Sequence, residues 1–200
     1  MKGILILIAA MLFIISCNNS KVTKDKSFRI IIVDTYAYER IQQKRKILNY
    51  SPLENGVDSF EIRLWTSLGH TDLNFVKILK YEDSNWHFTQ TRYWFSGDTS
   101  FPNRGSKIFL DSGIIEYSKL AVPFAKLADS LNTFDLMVFP TQSQIPGFSD
   151  NVAGGLYYNL EVSTKNYYKH FYYHEPEHYN DSSNKKFIGL LNLLSIKPNQ

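Results

Sequence analysis

The chain has 200 residues, with 22 basic and 19 acidic side chains, a formal charge of +3, 44% hydrophobic and 15% aromatic residues. That length suits one domain with a substantial core, and so small a charge excess makes no case for nucleic acid or an anionic substrate. A single cysteine excludes an internal disulfide and any metal site built from several thiolates.

The first seventeen residues set the context for the rest. Lys2 precedes an unbroken apolar run from Ile4 to Ile15, followed by Ser16 and Cys17. As a helix this run is about 18 Å long, short of the roughly 30 Å hydrocarbon core but suited to the apolar region of a secretory signal. Ile14-Ile15-Ser16-Cys17 resembles the bacterial lipobox, in which a branched apolar residue stands three positions before an obligatory cysteine. That resemblance implies diacylglyceryl transfer to the Cys17 thiol, cleavage after Ser16 and N-acylation of the new terminus. Several acyl chains on one residue anchor firmly, at about 0.8 kcal/mol per buried CH₂. Asn18 stands where Asp often marks inner-membrane retention, so an outer-membrane location is expected if the source is Gram-negative. A conventional cleaved signal with an incidental Cys17, or an uncleaved short anchor, is the competing reading. Lipidation of Cys17 also removes the one candidate cysteine nucleophile.

Residues 18–27 are polar and read as a tether with a reach of roughly 17–19 Å. Phe28 to Val33 is β-branched and apolar, as in a buried strand. Residues 36–50, with Ile41, Ile47 and Leu48 loosely spaced, form a short helix or an irregular turn. Phe60 to Trp65 alternates, placing Phe60, Ile62 and Leu64 on one face. Phe75–Tyr81 and Trp86–Phe95 flank the turn cluster Glu82-Asp83-Ser84-Asn85 as a hairpin. A loop covers 96–107, and Ile108–Tyr117 is read as two short extended pieces broken at Asp111-Ser112-Gly113.

Pro123 suits a helix start, and Phe124, Leu127, Ala128 and Leu131 repeat at helical spacing over 122–132. Phe134–Phe139 reads as a short strand and 140–154 as loop. Leu156–Val162 and Tyr167–Tyr173 form a second hairpin. A two-residue Lys165-Asn166 turn places Glu161 opposite His170 and Leu160 opposite Phe171. A polar loop follows, then a helix over 184–195 capped by Ser182 or Ser183. The expected fold is α+β: a curved antiparallel sheet of two hairpins plus two to three strands, with two helices packed on one side. Residues 1–16 form the signal, 17–27 the lipidated Cys17 and tether, and 28–197 a single domain. Beyond the lipobox, the Asn-, Lys- and Tyr-rich composition resembles that of small lipoproteins of Bacteroidota-type bacteria and implies no activity.

His174-Glu175-Pro176-Glu177-His178 has the letters of H-E-x-x-H, which needs a helix to bring both histidines to one zinc ion. Pro176 costs about 3 kcal/mol inside a helix and pushes Glu175 toward extended geometry. His170, His174 and His178 share a face of an extended chain but stand about 13 Å apart along it, too far for one metal unless the loop folds back, so a polar strand end and loop outweighs a metal site. No phosphate loop, nucleophile elbow, dinucleotide fingerprint or zinc finger occurs. Trp65, Trp86 and Trp94 suit a core before a ligand groove. The expected function is a lipid-anchored, non-enzymatic envelope module without a cofactor. It binds the membrane through Cys17 and a protein, peptide or glycan partner, but no nucleic acid. The alternatives are a metal-dependent hydrolase using the His170–His178 region and an inhibitor or immunity-type lipoprotein.

Overall fold

The computed structural model describes residues 28–69, 73–96, 109–119 and 124–194. Seven strands form one open, curved sheet in the order β1-β7-β6-β2-β3-β4-β5, comprising β1 (Arg29–Ile32), β2 (Phe60–Leu68), β3 (Leu73–Glu82), β4 (Asn85–Ser96), β5 (Phe109–Lys119), β6 (Leu156–Thr164) and β7 (Tyr167–His174). All neighbours are antiparallel except β1 and β7. Three helices complete the α+β fold: α1 (Thr35–Ile47), α2 (Phe124–Asn132) and α3 (Ser182–Leu194).

Alternation in the strands divides the sheet into two apolar faces. One presents Ile62, Leu64, Leu79, Leu160, Val162, Phe171 and Tyr173, which pack with Leu131 of α2 and with Phe187, Leu190, Leu191 and Leu194 of α3. The Tyr173 and Phe187 rings stack at 3.8 Å. The two expected helices therefore do share one side. The opposite face presents Trp65, Val76, Tyr93 and Phe95, covered by Ile41 of α1. α1 is a full helix of 13 residues, begun by the Asp34 side chain accepting the Ala37 N–H. Its weak apolar period follows from what it covers, since polar and charged side chains occupy part of that face.

Both hairpins form where expected. Asp83 and Ser84 adopt positive φ, the geometry that matches a two-residue turn to strand twist. In the second, Glu161 lies opposite His170 and Leu160 opposite Phe171.

Four local expectations are corrected. The Phe28–Val33 segment is not a buried strand: β1 is an edge, and Ile30 is 52% exposed. Phe109–Lys119 is one continuous strand, because a register shift opposite Trp94/Phe95 absorbs the irregularity and Gly113 continues the ladder. Phe134–Phe139 is a set of turns. Its carbonyls are taken by β7 side chains: Tyr167 Oη and Lys169 Nζ both donate to Met137 O at 3.1 Å, and Lys169 also donates to Phe139 O. The cap of α3 is Asp181, which accepts the N–H groups of Ser183 and Asn184 at 2.9 and 3.0 Å, in place of Ser182 or Ser183. The signal, Cys17 and the tether lie outside the described residues.

Candidate functional site

Two polar groups of residues meet between α1 and the sheet. The first is a charged clamp at the centre of that face. Arg45, on the last turn of α1, reaches Glu54 through both terminal nitrogens and lies 3.2 Å from Glu161 Oε1. Glu161 is fully buried on β6. It accepts Trp65 Nε1–H at 2.7 Å and Tyr168 Oη–H at 2.8 Å. Burial pushes the Glu161 carboxyl above the ordinary range despite the positive charges of Arg45 and Arg63. Burial opposes the charge on Glu54 too, but hydrogen bonds from Arg45 and Tyr38 outweigh it and bring that carboxyl down to about 2. Beside the clamp, Arg63 Nε donates to Glu61 at 2.6 Å and its Nη1 to Ser51 O at 2.7 Å.

A charged arginine surrounded by carboxylates and hydroxyl donors is satisfied by the fold itself. Such a set fixes the helix on the sheet, because displacing α1 would strand Glu161 without its cation. His170 lines the same space under Tyr38, its Nε2 3.0 Å from Asn159 Oδ1. Its Nδ1 is buried without a hydrogen-bond partner. Burial, reinforced by Arg45, lowers the His170 pKa to about 3, so the ring is neutral.

The second group crosses one end of the sheet. Asn74, Ser67, Tyr157 and His174 are successive cross-strand neighbours on β3, β2, β6 and β7. Lys44 of α1 reaches down on this row, with Nζ 2.6 Å from Ser67 Oγ and 3.3 Å from Asn74 Oδ1. Desolvation, with a smaller contribution from the Arg40 charge, lowers the Lys44 pKa to about 7. At the other end of the row, Tyr157 stacks on His174 at 4.2 Å. His174 Nδ1 lies 2.7 Å from Asp150 Oδ1, and its Nε2 faces the Gly154 carbonyl. Both nitrogens are thereby tied to the loop that precedes β6.

The structure separates the three histidines that the sequence pattern aligned. His170 and His174 are each about 1% exposed and engaged in different hydrogen bonds, whereas the His178 side chain is 60% exposed and pairs with Glu175 at 3.3 Å. Glu175 takes left-handed backbone geometry, and Pro176–His178 is a single 3₁₀ turn, so the H-E-x-x-H letters do not lie on an α-helix. Among the described residues no group of three or more His, Cys, Asp or Glu is placed to hold a metal ion. Trp65 and Trp86 are core residues.

Sequence reasoning missed Lys44, Ser67, Arg45 and Glu161. The only signal for the last pair was a glutamate between Leu160 and Val162, on the strand face that also carries Asn159 and Ser163. Comparison with family models, with curated proteins and with solved structures finds no match.

Proposed function

We propose that this chain is an exported bacterial envelope lipoprotein, anchored through acylated Cys17, whose α+β domain is a binding or structural module for a protein, peptide or glycan partner. The observation that carries the anchor is the placement of the chain's single cysteine at the end of Ile14-Ile15-Ser16-Cys17, directly after a twelve-residue apolar run. In Gram-negative bacteria Asn18 favours the outer membrane.

The two ends of the sheet differ in character. The described chain enters β1 beside the Lys165-Asn166 turn, where Arg29 N–H donates to Asn166 O at 3.1 Å. The row Asn74-Ser67-Tyr157-His174 lies at the far end of β7, about 23 Å away at about 3.3 Å per residue. A tether joined at the start of β1 keeps that end of the sheet within reach of the anchor and leaves the polar row at the opposite end open to a partner.

The test is metabolic labelling of the full chain with a palmitate analogue in a bacterial host. Wild type is expected to incorporate label and to run as a shortened mature form. Cys17→Ser is expected to lose the label and accumulate at precursor size. Label retained in Cys17→Ser contradicts the proposal.

A further inference from the structure

Single apolar side chains on a protein surface are ordinary, but a group of them at one place marks a contact surface. Among the described residues seven large apolar side chains are exposed, and five of these lie around the outer strand: Ile30, Val33, Tyr36, Met137 and Val138. Ile30 belongs to β1, whose outer edge pairs with no described strand, and Val33 and Tyr36 follow it into the first turn of α1. Met137 and Val138 reach the same edge from the turns over 134–139. Met137 O is held by Tyr167 and Lys169, which are the register partners of Arg29 and Ile31 on β1. Both holding side chains belong to buried residues, yet the turn they fix leaves Met137 48% and Val138 74% exposed. Exposed turns are ordinarily built from Gly, Pro, Asn, Asp and Ser. A pinned turn that holds two apolar side chains in solvent presents them to an apolar partner. The remaining two, Leu110 and Ile114, lie on β5 at the opposite edge of the sheet.

We infer that the β1 edge rests on the bilayer, with Ile30, Val33, Tyr36, Met137 and Val138 entering the boundary between headgroups and acyl chains. The inference rests on the anchored-lipoprotein reading and deepens it by naming the face that meets the membrane. Position along the chain selects this occupant. β1 begins twelve residues after Cys17, and a polar stretch such as 18–27 reaches only roughly 17–19 Å. Confinement of that kind raises the effective concentration of surface to on the order of millimolar, so a patch too small to bind free in solution is still occupied. The open edge sets the depth. Its outward backbone N–H and C=O groups are satisfied by hydrated headgroups but not by hydrocarbon. The side chains therefore enter to interfacial depth, about 5–10 Å, as an amphipathic element does. Tyr36 suits that depth, with an apolar ring and a polar tip. Exposed charges of both signs surround the patch, Arg29 and Lys165 with Asp135, so the contact is apolar and needs no anionic lipid.

The test uses the full chain, processed in a bacterial host and reconstituted into phosphatidylcholine vesicles. With Cys17 acylated, Val138→Cys supplies the one reactive thiol of the chain, which takes a nitrobenzoxadiazole label. The protein is expected to float with the vesicles. The label is expected to show blue-shifted emission that is lost when the vesicles carry spin-labelled phosphatidylcholine. The same label on Asn151→Cys, exposed in the loop beside the polar row, is expected to keep the emission of a dye in water. Adding Ile30→Asp and Val33→Asp to the Val138→Cys chain is expected to return its label to aqueous emission while the chain still floats and keeps its circular dichroism. Aqueous emission from Val138→Cys on floating vesicles overturns the inference and leaves the anchor standing. A blue shift that spin-labelled lipid does not quench means that a second copy covers the edge, and overturns it as well. A chain that does not float and carries an unmodified Cys17 contradicts the anchored reading, and this inference with it.

Discussion

Arg45 is the residue on which the α1 face depends most. Its guanidinium pairs with Glu54 on the loop and Glu161 in the sheet, and Trp65 and Tyr168 complete the Glu161 carboxylate's hydrogen bonds. Arg45→Met keeps much of the stem but leaves buried negative charge unmatched. Urea unfolding is expected to show a loss of about 3–5 kcal/mol, as for other broken buried pairs. His170 gives the fold an acid sensitivity. Its pKa is about 3 in the folded chain and about 6.5 in an unfolded one, so between these values the unfolded state binds the extra proton. Stability from this group is complete above about pH 6.5 and is lost as pH falls toward 3. Glu54, held at about 2, acts in the same sense below about pH 4.5. Urea midpoints at pH 7 and pH 5 should therefore differ more for wild type than for His170→Gln. Equal differences would show that His170 does not titrate on unfolding.

At the scale of elements, the hairpins were legible because alternation and turn chemistry are local. Asp83 and Ser84 could be read as a turn, and the Glu161–His170 register followed from a two-residue connection. α1 was only partly legible. Periodicity reports apolar surface, whereas much of the α1 contact is made by Tyr38, Lys44 and Arg45. Residues 134–139 were misread as a strand because their structure is imposed by distant side chains. Where β1 ends, the edge of β7 is covered by side chains in place of another strand. Thr141 Oγ1 donates to Tyr172 O and accepts from Tyr172 N–H, and Gln142 makes the same two-way contact with His174. Such mimicry satisfies an otherwise open edge and leaves no trace in hydropathy.

Gly155 is a second such case. It has φ +87°, and a Cβ there would lie 1.9 Å from Glu175 Oε1, in the space where that carboxylate accepts the Leu156 N–H. Gly155→Ala should lower stability by roughly 1–3 kcal/mol. In a Glu175→Ala background the same change should cost less, because the clash is gone. Additive losses in a double-mutant cycle would contradict the contact. Asp181→Ala removes the α3 cap and should cost about 1 kcal/mol, read from thermal or urea unfolding.

Across the whole molecule, one sheet carries two different cores. The face under α2 and α3 is aromatic and aliphatic, and the sequence showed it clearly through Leu160, Phe171, Phe187 and Leu190. The face under α1 mixes Trp65 and Tyr93 with buried ions, and its composition concealed both the clamp and the Lys44–Ser67 pair. Those residues stand 9 and 23 positions from their partners, Arg45 with Glu54 and Lys44 with Ser67, so no local motif joins them. Strand direction gives the molecule a polarity, with the start of β1 beside one end of β7 and the polar row at the other. The functional account rests on that polarity being used at a membrane, and hence on Cys17. Its most direct test is mass spectrometry of the amino-terminal peptide of the protein extracted from membranes of a bacterial host. The account predicts that this peptide begins at Cys17 and carries diacylglyceryl and N-acyl groups. A membrane-extracted chain beginning at Met1, or one bearing an unmodified Cys17, would contradict it.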